Sequence, residues 1–351
     1  MALHPRPFAI LPCLLILTGF GNGIEDSAWN AWVGNLGNAN ELLGLLHGAY
    51  GLGGTIAPLV ATLMITKGGM PWWNYFYLMI ALCGVQVVVL VAAFWTATGS
   101  VYRQRLNYEK RSNSNGGGID GPEGAVENKK RVTTRQVLKG PIPWVIALFL
   151  FGYVGAEVSL GGWIVTFMLR VRDAEPFLAG LTVTLFWLGL TIGRVVLGFV
   201  TGRVGEKLAI TGYLIIAIVL LVLYWTVPHF IAAIVFVTLM GFFFGPLFPA
   251  AIVVVMKLLP VEHHISAVGF SAALGGGGAA IFPYAVGAIA QSHGVQVLQP
   301  FVLAIMVWLM ITWLMLPGGL RRGGLERARE EGTKPGGDFV RWWQKIARRR
   351  G

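Results

Sequence analysis

The chain has 351 residues, 55% of them hydrophobic and 12% charged, with 48 glycines, 13 tryptophans and a mean hydropathy of +0.67. Soluble domains carry about 25% charged residues, so this composition excludes a soluble globular enzyme and points to a chain whose solvent is lipid. The net charge of +11 does not mark a nucleic-acid binder, because the basic residues form no patch between apolar core elements. Cys13 and Cys83 both fall inside apolar runs, which leaves no disulfide framework and no paired-cysteine metal site.

Apolar stretches long enough to cross ~30 Å of hydrocarbon as helices lie at about 8–34, 42–66, 73–96, 142–169, 176–200, 208–228, 230–256, 265–291 and 298–318. This predicts about nine membrane spans. The first is not a secretory leader: it holds Glu25 and Asp26 and lacks a charged start, a short apolar centre and a small-residue cleavage pattern. One long polar break, 97–141, carries Arg103, Arg105, Lys110 and Arg111, then SNSNGGGIDGPEG, then Lys129, Lys130, Arg131, Arg135 and Lys139. It reads as a flexible linker. The expected organisation is a partial bundle over 1–96, the linker over 97–141, a six-helix bundle over 142–318 and a basic tail over 319–351.

Cytoplasmic segments of membrane proteins retain Lys and Arg. With the spans alternating in direction, one side receives the linker, Arg194, Arg203, Lys207, Lys257 and the tail; the other receives Arg6, Lys67, Arg170 and Arg172. The linker and the C-terminus are therefore expected in the cytoplasm, and the N-terminus outside. The tail segment RWWQKIARRR mixes Trp with Arg as helices lying on anionic lipid do.

Weak correspondence between segments marks internal repetition. GFGNGIEDSAWNA in the first span matches GFFFGPLFPAA in the seventh. The glycines ahead of Pro58 in the second match those ahead of Pro283 in the eighth. Spans one to three thus pair with seven to nine, while four to six have no counterpart. Two equal six-span halves would place that counterpart ahead of Met1, so three helices are expected to be missing from the N-terminal side.

An ionisable group at the centre of a membrane helix costs ~2.5 to 3.5 kcal/mol on insertion scales, so it should face a cavity or a partner. Glu157 lies near the middle of its span, with Tyr153 four residues before and Gly161 four residues after, which gives one face a phenol, a carboxyl and a small gap. In the first span Asn22, Glu25, Asp26 and Trp29 follow helical spacing and form one polar and aromatic stripe. Carboxyl and amide groups bind hydroxyls, and Trp stacks on an apolar ring face. Glu25 is the favoured cavity residue and Asp26 a packing or interhelical partner. Asn22 and Asn30 serve as solute contacts or as interhelical hydrogen bonds. Arg194 either reaches for lipid phosphates or closes an inner gate against acidic groups. The run Gly275 to Gly278 follows no strand and precedes no Lys-Ser/Thr pair, so it reads as close helix packing and not as a phosphate cradle.

These residues resemble a family. The central basic linker and the loop Gly198, Gly202, Arg203, Gly205, Lys207 are similar to the second half of a major facilitator superfamily transporter. YVGAEVSLGGW at 153–163 and GFGNGIEDSAWNA at 19–31 resemble the fucose:proton symporter branch and fungal relatives, including the bypass-of-stop-codon group. The resemblance implies an all-α membrane fold of that superfamily with its first three helices absent. It implies proton coupling through Glu157, Glu25 or Asp26, solute contacts among Asn22, Trp29, Asn30, Tyr153 and Trp163, and gating by Arg194, Gly198, Arg203 and Lys207. The loop departs from the family pattern at Gly202, where an acidic residue is usual, and at Glu206, where a basic one is usual.

No Ser-His-Asp arrangement, metal spacing or nucleotide fingerprint supports an enzyme or a cofactor. The expected function is secondary transport of a small polar solute, a sugar or related metabolite, coupled to protons by alternating access. The expected partners are that solute, protons and membrane lipid. The alternative is a membrane sensor or inactive paralogue that keeps the fold without cycling.

Overall fold

The structure, a computed structural model, describes residues 10–34, 39–101, 104, 137–260, 263–320 and 323–333. Most of the 97–141 linker and the end of the basic tail lie outside these residues. The described helices are α1 (Ile10–Gly34), α2 (Ala39–Thr66), α3 (Asn74–Ala93), α4 (Pro141–Val171), α5 (Pro176–Val204) and α6 (Glu206–Thr226). They continue with α7 (Phe230–Phe244), α8 (Leu247–Leu258), α9 (His264–His293), α10 (Leu298–Leu314) and α11 (Gly324–Thr333), with a short 3-10 turn at Val295–Val297 before α10.

Among the described residues, eight helical segments are long and apolar enough to cross a membrane, against the nine spans the sequence predicts. The first predicted span does form a 25-residue helix, of which Cys13–Glu25 is the apolar stretch among the described side chains. The seventh, Phe230–Leu258, is one crossing broken between α7 and α8 at Gly245 and Pro246. Proline brings no N–H to the helix ladder there, and Gly245 allows the close approach described below.

Local chemistry sets the other helix ends. Pro141 and Pro176 open α4 and α5, where a missing N–H leaves no bond unmade. Gly205 (φ 100°) ends α5 in a backbone conformation that side-chain-bearing residues avoid, so α6 begins at once with Glu206 in its first turn.

Contacts divide the chain into two compact units, Met1–Leu14 with Met70–Arg131, and Leu15–Gly69 with Val132–Gly351. In the first unit, α3 carries no charged residue and has no buried residue. The aromatic rings of Trp72, Trp73 and Phe76 meet edge to face near its start, as aromatic residues do at membrane surfaces. The second unit holds the core. There α4 packs chiefly on α9 and α10, α5 on α2 and α7, and α6 on α7 and α10. Residues 15–69 group with the helices after the linker because α2 runs antiparallel along α5. Gly48 meets Val195, Gly51 meets Thr191, Gly54 meets Trp187 and Gly180 meets Thr62, while Lys67 stands 5.1 Å from the Phe177 ring.

Two further seams rely on glycine. A Cβ at Gly278 would collide with the Phe151 carbonyl and one at Gly155 with the Phe282 ring, so the glycine run of α9 lies against α4. On α5, Gly189 and Gly193 meet backbone of Thr238 and Phe242; on α7, Gly241 meets the Phe186 carbonyl. A methyl group at Gly245 would come within 2.5 Å of the Arg194 backbone nitrogen. With no hydrophobic drive between helices in lipid, such backbone approach supplies the packing.

At one end of this unit, Lys257 bonds Glu206 (2.8 Å) and Glu326 (2.8 Å), tying α6, α8 and α11 together. The Lys257 ammonium holds the Glu326 carboxyl below the usual carboxylate range. Leu325 is buried under the same helix.

Candidate functional site

Three helices converge on one buried ion pair. Helix α4 supplies Glu157, whose neighbours on the buried face, Leu150, Tyr153, Leu160 and Ile164, are fully enclosed. Helix α5 supplies Arg194, the residue after Gly193, so the α5–α7 glycine contact fixes the backbone from which the guanidinium extends. The two side chains are each 5% exposed, with Arg194 Nη2 donating to Glu157 Oε1 at 3.1 Å. Helix α2 completes the triangle: Arg194 Nη1 donates to the His47 carbonyl at 3.2 Å, and the guanidinium lies 5.6 Å from the Tyr50 ring centre. A cation held over an aromatic face gains electrostatic attraction from the ring.

Aromatic side chains enclose the pair. Tyr153 packs with Phe244 and Phe248 at ring distances of 5.9 and 6.4 Å, and His47 stands 5.3 Å from Phe248. The Tyr153 hydroxyl lies in the field of both charges. It has no hydrogen-bond partner of good geometry, and neither has Arg194 Nε. Two buried polar atoms beside a charge pair are thus unsatisfied, and most buried polar groups in folded proteins are not.

Beyond this triangle the predicted residues separate. Arg194 is enclosed and does not reach for headgroups. Gly198 and Arg203 are exposed further along α5. Lys207 is buried at the start of α6, where its ammonium donates to the Leu316 carbonyl and to that of Leu314 at 3.5 Å. Trp163 turns to α9: its indole donates to the Pro283 carbonyl at 3.0 Å, and its ring sits against Gly287. On α1, Asn22 is exposed, Glu25 and Trp29 are half-buried, and the Trp29 ring meets Trp32 at 5.7 Å. The side chains of Asp26 and Asn30 lie outside the described residues.

Several residues of the site were not anticipated: His47 and Tyr50 of α2, Phe248 of α8 and, on α5, Trp187. The half-buried Trp187 fills the gap left by Gly161 of α4 and Gly54 of α2, 3.1 and 2.9 Å from their would-be methyl positions. Next to it, Thr191 and Thr55 face each other with hydroxyls 3.3 Å apart. The signal was present in the sequence: Trp187, Thr191 and Arg194 stand at i, i+4 and i+7, the same kind of polar and aromatic stripe as on α1.

With eight membrane-length helices among the described residues and a charge pair enclosed between three helices, the chain is an integral, multi-pass membrane protein. The sequence profile of the Major Facilitator Superfamily matches residues 2–207 and 159–350. The chain belongs to that superfamily. It is 31% identical over 321 residues to Bypass of stop codon protein 6 of Saccharomyces cerevisiae, a match covering 88% of this chain and 64% of that protein. The chain thus spans less than two thirds of that relative's length. Its fold is similar to the crystal structure of the Major Facilitator Superfamily transporter FucP in the outward conformation, with a TM-score of 0.54 and 14% identity. That likeness covers 82% of this chain and 71% of FucP.

Proposed function

We propose that this protein is a secondary active transporter that moves a small polar solute, a sugar or related metabolite, together with protons by alternating access. The observation that carries the reading is the Glu157–Arg194 pair, enclosed where α2, α4 and α5 meet. Removing two charges from water is expensive, and a buried ion pair is weak evidence for added stability. A functional use explains its presence better, since ionisable groups inside membrane helices commonly line solute and proton pathways.

In this reading Glu157 takes up and releases the transported proton, with Glu25 and Asp26 as a second acidic position on α1. Tyr153 contacts solute beside Glu157, and Asn22, Trp29 and Asn30 contribute from α1. Trp163 acts by holding α4 to α9 at the edge of the passage. Arg194 gates by gripping or releasing Glu157 and the α2 backbone, while Gly198, Arg203 and Lys207 shape the end of the bundle facing the cytoplasm. The linker and the C-terminus lie in the cytoplasm.

Uptake of labelled hexoses and of the corresponding sugar acids into vesicles carrying the protein, measured at two external pH values, tests the proposal. Accumulation should rise when an inward proton gradient is imposed and collapse when a protonophore removes it. Uptake indifferent to the gradient would exclude proton coupling.

A further inference from the structure

We infer that the solute carried by this site is an acid, a hydroxylated carboxylate of sugar size, whose carboxylate takes the place of Glu157 on Arg194 when Glu157 receives its proton. The inference rests on the transport reading above and narrows its substrate class.

The reasoning is one of charge. Among the described residues, the side chains that face the pair come from four helices. Helix α4 presents Tyr153, α2 presents Tyr50 and His47, α7 presents Phe244 and α8 presents Phe248. Among the described residues, Glu157 is the one carboxylate bonded to Arg194. The Tyr50 ring beside Arg194 and the Tyr153 phenol next to Glu157 are neutral near physiological pH and supply no counter-charge. A proton placed on Glu157 therefore leaves the guanidinium, 5% exposed, with no counter-charge among the described residues. An uncompensated buried charge is strongly destabilising. A neutral sugar does not relieve it. A carboxylate does.

The same geometry supplies the seat. A carboxylate accepts two parallel hydrogen bonds from a guanidinium edge. Arg194 already offers Nη2, now spent on Glu157, and carries a buried Nε without a partner. The unpartnered Tyr153 hydroxyl is a third polar group at the same spot. Once protonated, Glu157 becomes a donor as well as an acceptor and bonds a solute hydroxyl. The charge balance closes: the site is neutral with Glu157 ionised and empty of solute, and neutral again with Glu157 protonated and a monoanion bound. One proton and one monoanion then move together without net charge. A neutral sugar carried with a proton moves a positive charge.

The test is binding to the purified full chain of D-gluconate and D-glucuronate, set against their neutral counterparts D-glucitol and D-glucose, across about pH 5.5 to 7.5. Binding linked to uptake of one proton should strengthen about tenfold per pH unit of acidification for the two acids, with the neutral compounds binding more weakly throughout. Glu157→Gln, which imitates the protonated carboxyl, should bind the acids tightly and without pH dependence. The double variant Glu157→Gln/Arg194→Gln, which removes both charges and leaves neither buried alone, should lose the acids. The inference is overturned if the neutral compounds bind as tightly as the acids, if acid binding ignores pH, if the double variant keeps it, or if neither acid binds. Acid binding of the expected kind without gradient-driven accumulation of the acids would sink transport and leave the anion site standing. Hexose accumulation that persists in the double variant would do the reverse.

Discussion

Glu157→Gln is expected to abolish proton-driven accumulation of solute while leaving counterflow largely intact. Glutamine keeps an oxygen where Glu157 Oε1 accepts from Arg194, so the contact between α4 and α5 at 3.1 Å has a substitute. What it removes is the exchangeable proton. Counterflow swaps labelled for unlabelled solute with no net proton movement, so it survives; accumulation against a gradient needs the proton and does not. Unchanged accumulation in this variant, measured in proteoliposomes with an imposed pH gradient, would take Glu157 out of the mechanism.

Gly193→Val should destabilise the protein by about 3 kcal/mol or more, the upper range for forcing volume into a packed interior. The Cβ alone would press on the Phe242 carbonyl and stand 2.9 Å from the Phe242 Cα. These are backbone atoms of α7, so no side-chain rotation relieves the clash. The damage should reach the site, because Arg194 is the next residue. Gly198→Val, one turn further along α5 and open on all sides, is the control and should melt like the parent. Thermal unfolding in detergent distinguishes the two; equal melting of both variants would mean that the α5–α7 contact is not as close as described.

Helix positions were legible because 20-residue apolar runs and their Pro and Gly boundaries depend on local sequence. Pro141, Pro176 and Gly205 mark their helix ends in the chain itself. The face of α4 bearing Tyr153, Glu157 and Gly161 was legible for the same reason: one helix's periodicity decides it. The partner of Glu157 was not. Arg194 lies 37 positions away on another helix, and the pairing depends on the relative rotation and height of α4 and α5. One contact between those two helices is Gly161 against Trp187, which no single-helix pattern encodes. The glycines were visible as residues needing a close neighbour; which neighbour was not. Trp163 shows the converse. Its place in YVGAEVSLGGW suggested a solute contact, whereas its indole hydrogen is committed to the Pro283 carbonyl, an acceptor 120 residues away.

The account turns on Glu157 exchanging protons with water from within the bilayer. Infrared difference spectra of the protein in liposomes, recorded while pH is lowered from about 9 to about 4 to cover the span of perturbed carboxyl groups, read this directly. A protonated-carboxyl C=O band should grow in reversibly, shift in heavy water, and be missing from Glu157→Gln. If no titrating band depends on Glu157, or if the band does not exchange with heavy water, the carboxyl is a sealed structural group and the proposed coupling is contradicted.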